Sequence, residues 1–181
     1  MSDVAVQEVQ SVGVPAEHLP IYRLEAELLK LPQVDMPVDH DFCNGLYART
    51  MHIPAGTVLT GAVHKDESFF VVRKGQLIVT TDTGSAQVGP GFMSVTKPNT
   101  KRAGVALTDV EVTTFHANPT NETDPQAIWD MYTVHAPASV LEAVQHPHLE
   151  GKKAFAFRQI RDSVLARCIP LYKVLCLIMK W

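Results

Sequence analysis

The sequence predicts an all-β barrel or sandwich with helical segments before and after it, and three observations predict it. Eight short runs rich in β-branched and aromatic residues lie between Leu46 and His116, turn signals separate them every six to twelve residues, and no helical period interrupts them. A strand-helix-strand fold is disfavoured for the last reason. The chain of 181 residues, 46% hydrophobic, has room for one domain with a full core plus tails.

Residues 1–15 are polar, valine-sprinkled and without a period, so a flexible N-terminal segment over 1–20 is expected. Ile21, Leu24, Leu28 and Leu31 then recur at helical spacing until Pro32, which predicts a short amphipathic helix covering one end of the barrel or a neighbouring subunit. Pro37 to Phe42 reads as extended or turned, and Asn44-Gly45 as a tight turn into the first run, Leu46 to His52. After Ile53-Pro54-Ala55-Gly56 come Thr57 to Val63 and Phe69 to Arg73, joined at Lys65-Asp66-Glu67. Gln76 to Thr81, Ala86 to Val88, Phe92 to Thr96, Arg102 to Ala106 and Val110 to His116 complete the set. Asp82-Thr83-Gly84, Gly89-Pro90-Gly91 and Thr108-Asp109 punctuate them.

Asp124-Pro125 has the form of a helix start, with Asp124 as N-cap, Pro125 at the first position and Ile128, Trp129 and Tyr132 as the apolar stripe. Ser139-Val140-Leu141-Glu142 matches a capping box and predicts a second helix. Both helices are expected to pack outside the barrel. Lys152 to Arg167 reads as a basic amphipathic helix with Phe157, Ile160, Val164 and Cys168 on one face, and Leu171 to Trp181 as an apolar tail too short to cross a bilayer. The expected organisation is a barrel domain with its N-terminal helix over 21–136 and a helical, basic and apolar extension over 137–181.

Charge divides the chain in the same place. Residues 1–150 hold 9 Lys+Arg against 18 Asp+Glu, a balance of -9, whereas residues 151–181 hold 7 against 1, a balance of +6. The acidic body argues against a nucleic-acid partner, because phosphate binding needs a basic footprint. For the tail, packing on a partner subunit or the barrel is favoured over an interfacial membrane contact. Poorly covered sheet edges and these apolar faces together predict a homodimer. Nothing resembles a signal peptide, since Asp3 and Glu8 fall in the first fifteen residues, so a cytoplasmic location is expected. Cys43, Cys168 and Cys176 follow no CxxC spacing and read as buried or incidental thiols.

Candidate site residues follow from parity. Ala62 and His64 share one face of their strand and Val63 takes the other; Val110, Val112, Thr114 and His116 share a face that parity assigns to the interior. The stretch from Gly56 through His64 to Gly75 resembles the first motif of the cupins. In that motif a Gly, two His, a Glu and a second Gly recur at fixed intervals, and Gly56, His64 and Gly75 fall on the pattern. Ala62 stands where the motif has its first His and Ser68 where it has its Glu. In the second motif, counting from Gly91 puts Arg102 at the remaining His, with Pro98 or Lys97 at the proline. The resemblance spans residues 45–117. It implies an all-β, cupin-like double-stranded β-helix, a jelly-roll barrel with flanking helices. Pro98 to Arg102 and Thr113 to His116 are also similar to small phage-borne and bacterial cupin-like proteins.

Three functions stay open on these residues. A small anionic or sugar-like molecule would suit a barrel pocket with His64, Ser68, Lys101, Arg102 and His116 around it, the arginine gripping a carboxylate or phosphate in bidentate fashion. A divalent metal (iron, manganese, zinc or nickel) on His64, His116 and Glu67 would instead suit a metal-dependent isomerase or oxygenase. A phage-related scaffold or interaction protein without a ligand or cofactor is the third. A Ser68 nucleophile lacks any elbow or oxyanion loop, no phosphate-cradling glycine loop occurs, and His146-Pro147-His148 reads as a solvated loop pair.

Overall fold

The computed structural model describes residues 14–81 and 84–134. The predicted helices from Ser139 and Lys152, the apolar tail, Cys168, Cys176 and the His146/His148 pair lie outside the described residues, as do residues 1–13 and the Asp82-Thr83 turn. A 3-10 turn (Ala16–His18) and helix α1 (Leu19–Leu28) lead into strands β1 (Val38–Cys43), β2 (Gly45–Ile53), β3 (Val58–Thr60), β4 (Val63–His64), β5 (Ser68–Lys74) and β6 (Leu77–Thr81). Then come β7 (Gly84–Val88), β8 (Met93–Thr96), β9 (Ala103–Ala106), β10 (Val110–Asn118), helix α2 (Pro125–Tyr132) and β11 (Thr133–Val134). All eight predicted strands form; Pro37 to Phe42 resolves as β1, and the Thr57 to Val63 run breaks at Gly61-Ala62 into β3 and β4. Among the described residues no helix is long and apolar enough to cross a membrane.

The strands form two facing antiparallel sheets, one ordered β1-β2-β10-β5-β8 and the other β3-β9-β6-β7, with β4 paired to β11 across one end. Strict alternation sets what each strand sends inward. On β2 these are Tyr47, Arg49, Met51 and Ile53; on β10 they are His116, Thr114, Val112 and Val110, directly opposite in that order. The core is therefore aliphatic at one end, where Ile53, Val72, Leu77, Val110 and Val112 are each at most 2% exposed. At the other end the same rows become aromatic and cationic.

Gly75 turns β5 into β6 at φ 75°, and a Cβ there would lie 2.0 Å from the Asp109 carbonyl oxygen. The turn is that tight because the Gln76 amide donates to Thr108 Oγ1 at 2.9 Å, binding it to the β9-β10 corner. Gly75→Ala combines a left-handed backbone with a backbone clash and is expected to lower stability by about 2–4 kcal/mol. Gly45→Ala, at φ 77° with nothing within 4 Å, isolates the backbone part alone. Urea midpoints of the two variants measure the difference, and equal losses would show that the corner yields.

Both helices depart from expectation in the faces they bury. α1 turns Tyr22, Glu25, Ala26 and Leu28 toward the barrel, while Leu31 of the predicted stripe is 37% exposed. A charged residue lies on its buried side because the barrel supplies a buried lysine for it, described below. α2 starts as the sequence indicates, with Asp124 accepting from the Gln126 amide at 3.0 Å. It does not pack outside the barrel: Ile128 and Tyr132 are buried and, with Trp129, form part of the cavity wall. Cys43 is exposed at the end of β1 rather than buried.

Candidate functional site

A cavity of about 120 Å³ lies between the sheets at the end covered by α2 and the β4-β11 pair. Four of the five predicted ligand-binding residues come together on its wall. His64 arrives on β4, Ser68 opens β5, Arg102 precedes β9, and His116 is an inward residue of β10. The turn before Arg102 is tied to the histidine strand, because the Asn99 amide donates to the His64 carbonyl at 2.9 Å with Asn99 at φ 59°. Lys101 is not on the wall. It is 7% exposed beneath α1, with Nζ 2.5 Å from Glu25 Oε2.

The His64 and His116 rings face one another with centroids 5.2 Å apart, and Tyr132 and Tyr47 flank His116 at 5.5 and 6.0 Å. His116 Nε2 lies 3.2 Å from Thr114 Oγ1, and Tyr132 donates its hydroxyl to the Ala117 carbonyl. Burial holds His64 down at about 4, with the Arg49 guanidinium adding to the effect; His116, lowered by burial, His64 and Arg49, is at about 3. Both imidazoles are neutral at pH 7. Burial also pushes the Tyr47 phenol up to about 12 and lowers Arg49 to about 10, which leaves the phenol protonated and the guanidinium charged. Arg49 lies 6.0 Å from the Trp129 ring centroid.

Among the residues of this wall, His64 Nδ1, Ser68 Oγ and Arg102 Nε are buried without a hydrogen-bond partner among the described residues. Arg102 is otherwise held by one long bond, Nη1 to the Thr80 carbonyl at 3.4 Å. The described residues lining the cavity include two arginines and no aspartate or glutamate.

The metal reading is tested by the same geometry. Glu67 is exposed on the β4-β5 turn and does not line the cavity, so it does not join His64 and His116. Among the described residues no group of three or more His, Cys, Asp or Glu side chains could hold a metal ion. Two imidazoles beside two guanidinium groups are a poor donor set for a divalent cation, since the nearby positive charge opposes it.

Arg49, Tyr47, Trp129 and Tyr132 also line the cavity, and no motif in the sequence marks them for it. The alternation along β2 was visible, and an arginine sharing parity with Tyr47, Met51 and Ile53 was the signal for Arg49. Nothing local indicates that α2 folds inward.

Ala62, His64, Ser68 and Arg102, the four positions that the motif spacing assigns to metal ligands, all line this one cavity between two antiparallel sheets. The fold is cupin-like. No protein-family model matches the chain, and no curated protein matches it. Among solved structures it is similar to a cupin-2 domain protein from Shewanella frigidimarina, at 11% identity and TM-score 0.38 over 48% of this chain and 82% of that one. It is similar also to KdgF from Halomonas sp., at 17% identity and TM-score 0.42 over 51% and 91%. A cupin superfamily protein from Desulfitobacterium hafniense gives 8% identity and TM-score 0.41 over 51% and 85%. In the cupin-like barrel of this chain the cavity wall carries a guanidinium at position 102 and a hydroxyl at position 68.

Proposed function

We propose that this protein is a small-molecule-binding barrel whose ligand is a small anion, held through its carboxylate by Arg102, Ser68 and His64. The observation that carries the reading is that three residues lining one cavity, His64, Ser68 and Arg102, each hold a buried polar atom without a hydrogen-bond partner among the described residues. A buried polar group left without a partner costs about 1–3 kcal/mol, and a ligand toward which these side chains turn would recover that cost. Each can donate to a carboxylate oxygen: the Arg102 guanidinium, the Ser68 hydroxyl, and neutral His64 in its Nδ1–H tautomer. Low local dielectric behind α2 strengthens all three interactions. The absence of lining carboxylates among the described residues removes the obvious competitors for the same cations.

Isothermal titration of the full chain with acetate, butanoate and inorganic phosphate tests the reading. Arg102→Ala is expected to weaken carboxylate binding by about 1.5–3 kcal/mol while the urea midpoint hardly moves. Destabilisation without a binding defect would sink it, and so would indifference to every anion.

A further inference from the structure

Resting on that anion reading, the cavity wall also indicates what the remainder of the ligand is. The wall is graded along its length. Strand register places Tyr47 opposite His116, then Arg49 opposite Thr114, then Met51 opposite Val112 and Ile53 opposite Val110. On the facing sheet the gradient runs the same way: Arg102 precedes β9, whose Gly104 is level with Leu59 on one side and Val79 on the other. The 5.2 Å approach of His64 to His116 fixes the two polar ends as the same end. Beyond Arg49 and Thr114 the lining is apolar, contributed by Met51, Ile53, Leu59, Leu77, Val79 and Val112.

A ligand anchored by its carboxylate on Arg102, Ser68 and His64 therefore directs its other end into hydrocarbon. A sugar acid or dicarboxylate would bring hydroxyls or a second charge to a surface that offers them no hydrogen bond. An alkyl chain would lose only water there. The size is limited too, since the cavity of about 120 Å³ is smaller than the roughly 150 Å³ apolar cavity that accepts benzene. We propose that the ligand is a short-chain amphiphilic monocarboxylate, its head on Arg102, Ser68 and His64 and its tail among Met51, Leu77 and Val79.

The experiment is a chain-length series on the full chain, using acetate, butanoate, hexanoate and decanoate alongside succinate and gluconate. Affinity is expected to rise about fourfold per added methylene, the ratio corresponding to roughly 0.8 kcal/mol, until the cavity is filled, and to fall thereafter. Val79→Leu should move the best chain one or two carbons shorter, and Leu59→Ala should move it longer; either alone suffices where the other fails to fold. Succinate or gluconate binding more tightly than butanoate or hexanoate would overturn the amphiphile while leaving the anion site standing. A flat length profile, or an optimum indifferent to the folded variants, would do the same. No binding by any carboxylate would overturn both.

Discussion

Lys101→Met is expected to lower stability by about 3–5 kcal/mol, the cost of leaving one partner of a buried ion pair alone. Lys101 Nζ lies 2.5 Å from Glu25 Oε2, donates to the Gly61 carbonyl at 3.1 Å and stands 4.2 Å from the Tyr22 ring centroid. The carboxylate is 6% exposed at the residue level, and its other recorded partner is the Thr60 hydroxyl at 3.2 Å. Burial pushes the Lys101 ammonium down although Glu25 pulls it up, so the pair is held against a large desolvation cost. That cost explains the companion result. Lys101→Met combined with Glu25→Leu should recover most of the loss, because an apolar pair avoids desolvation altogether. Urea midpoints of the single and double variants check this, and a single variant no worse than the double would show that water reaches Glu25.

Acid is expected to destabilise the barrel through its two cavity-lining histidines. His64 at about 4 and His116 at about 3 bind protons less readily in the folded chain than at the ordinary histidine value of 6.5. Between those values the unfolded chain holds more protons, so stability rises with pH across the window. It is fully present above about pH 6.5 and is lost as pH falls through 6.5 toward 4 and 3. For the two histidines together the loss is on the order of 5 kcal/mol, discounted because each ring feels the other. Urea midpoints from pH 8 to pH 4 should be level above neutrality and then decline steeply, and His116→Phe should flatten part of the slope. A level profile down to pH 5 would show both rings in contact with water.

The strands were legible because alternation and turn chemistry are local. Gly75 announces a left-handed corner by its identity, and Val110, Val112, Thr114 and His116 reveal their common face by parity alone. The position of His64 followed from spacing between two glycines. What failed to show was long-range. Lys101 and Arg102 are adjacent and chemically alike, yet one turns to Glu25, far back in the sequence, and the other to the cavity. Alternation puts the two on opposite faces, but the group that Lys101 meets is on α1 and no local pattern names it. The inward face of α2 was hidden for the same reason: Ile128, Trp129 and Tyr132 make an apolar stripe whether they cover a barrel's mouth or its flank.

The pairing of β11 with β4 joins two things that need not have been joined. The ladder consists of Thr133 opposite His64 and Val134 opposite Val63, and the Lys65 amide donates to the Tyr132 carbonyl at 2.8 Å. Lys65 Nζ adds bonds to the Asp130 and Met131 carbonyls at 2.9 and 3.2 Å. The wall residue His64 is thus stitched, through its own main chain, to the helix that supplies Ile128, Trp129 and Tyr132 to the same cavity, so one backbone seam positions both sides of that end.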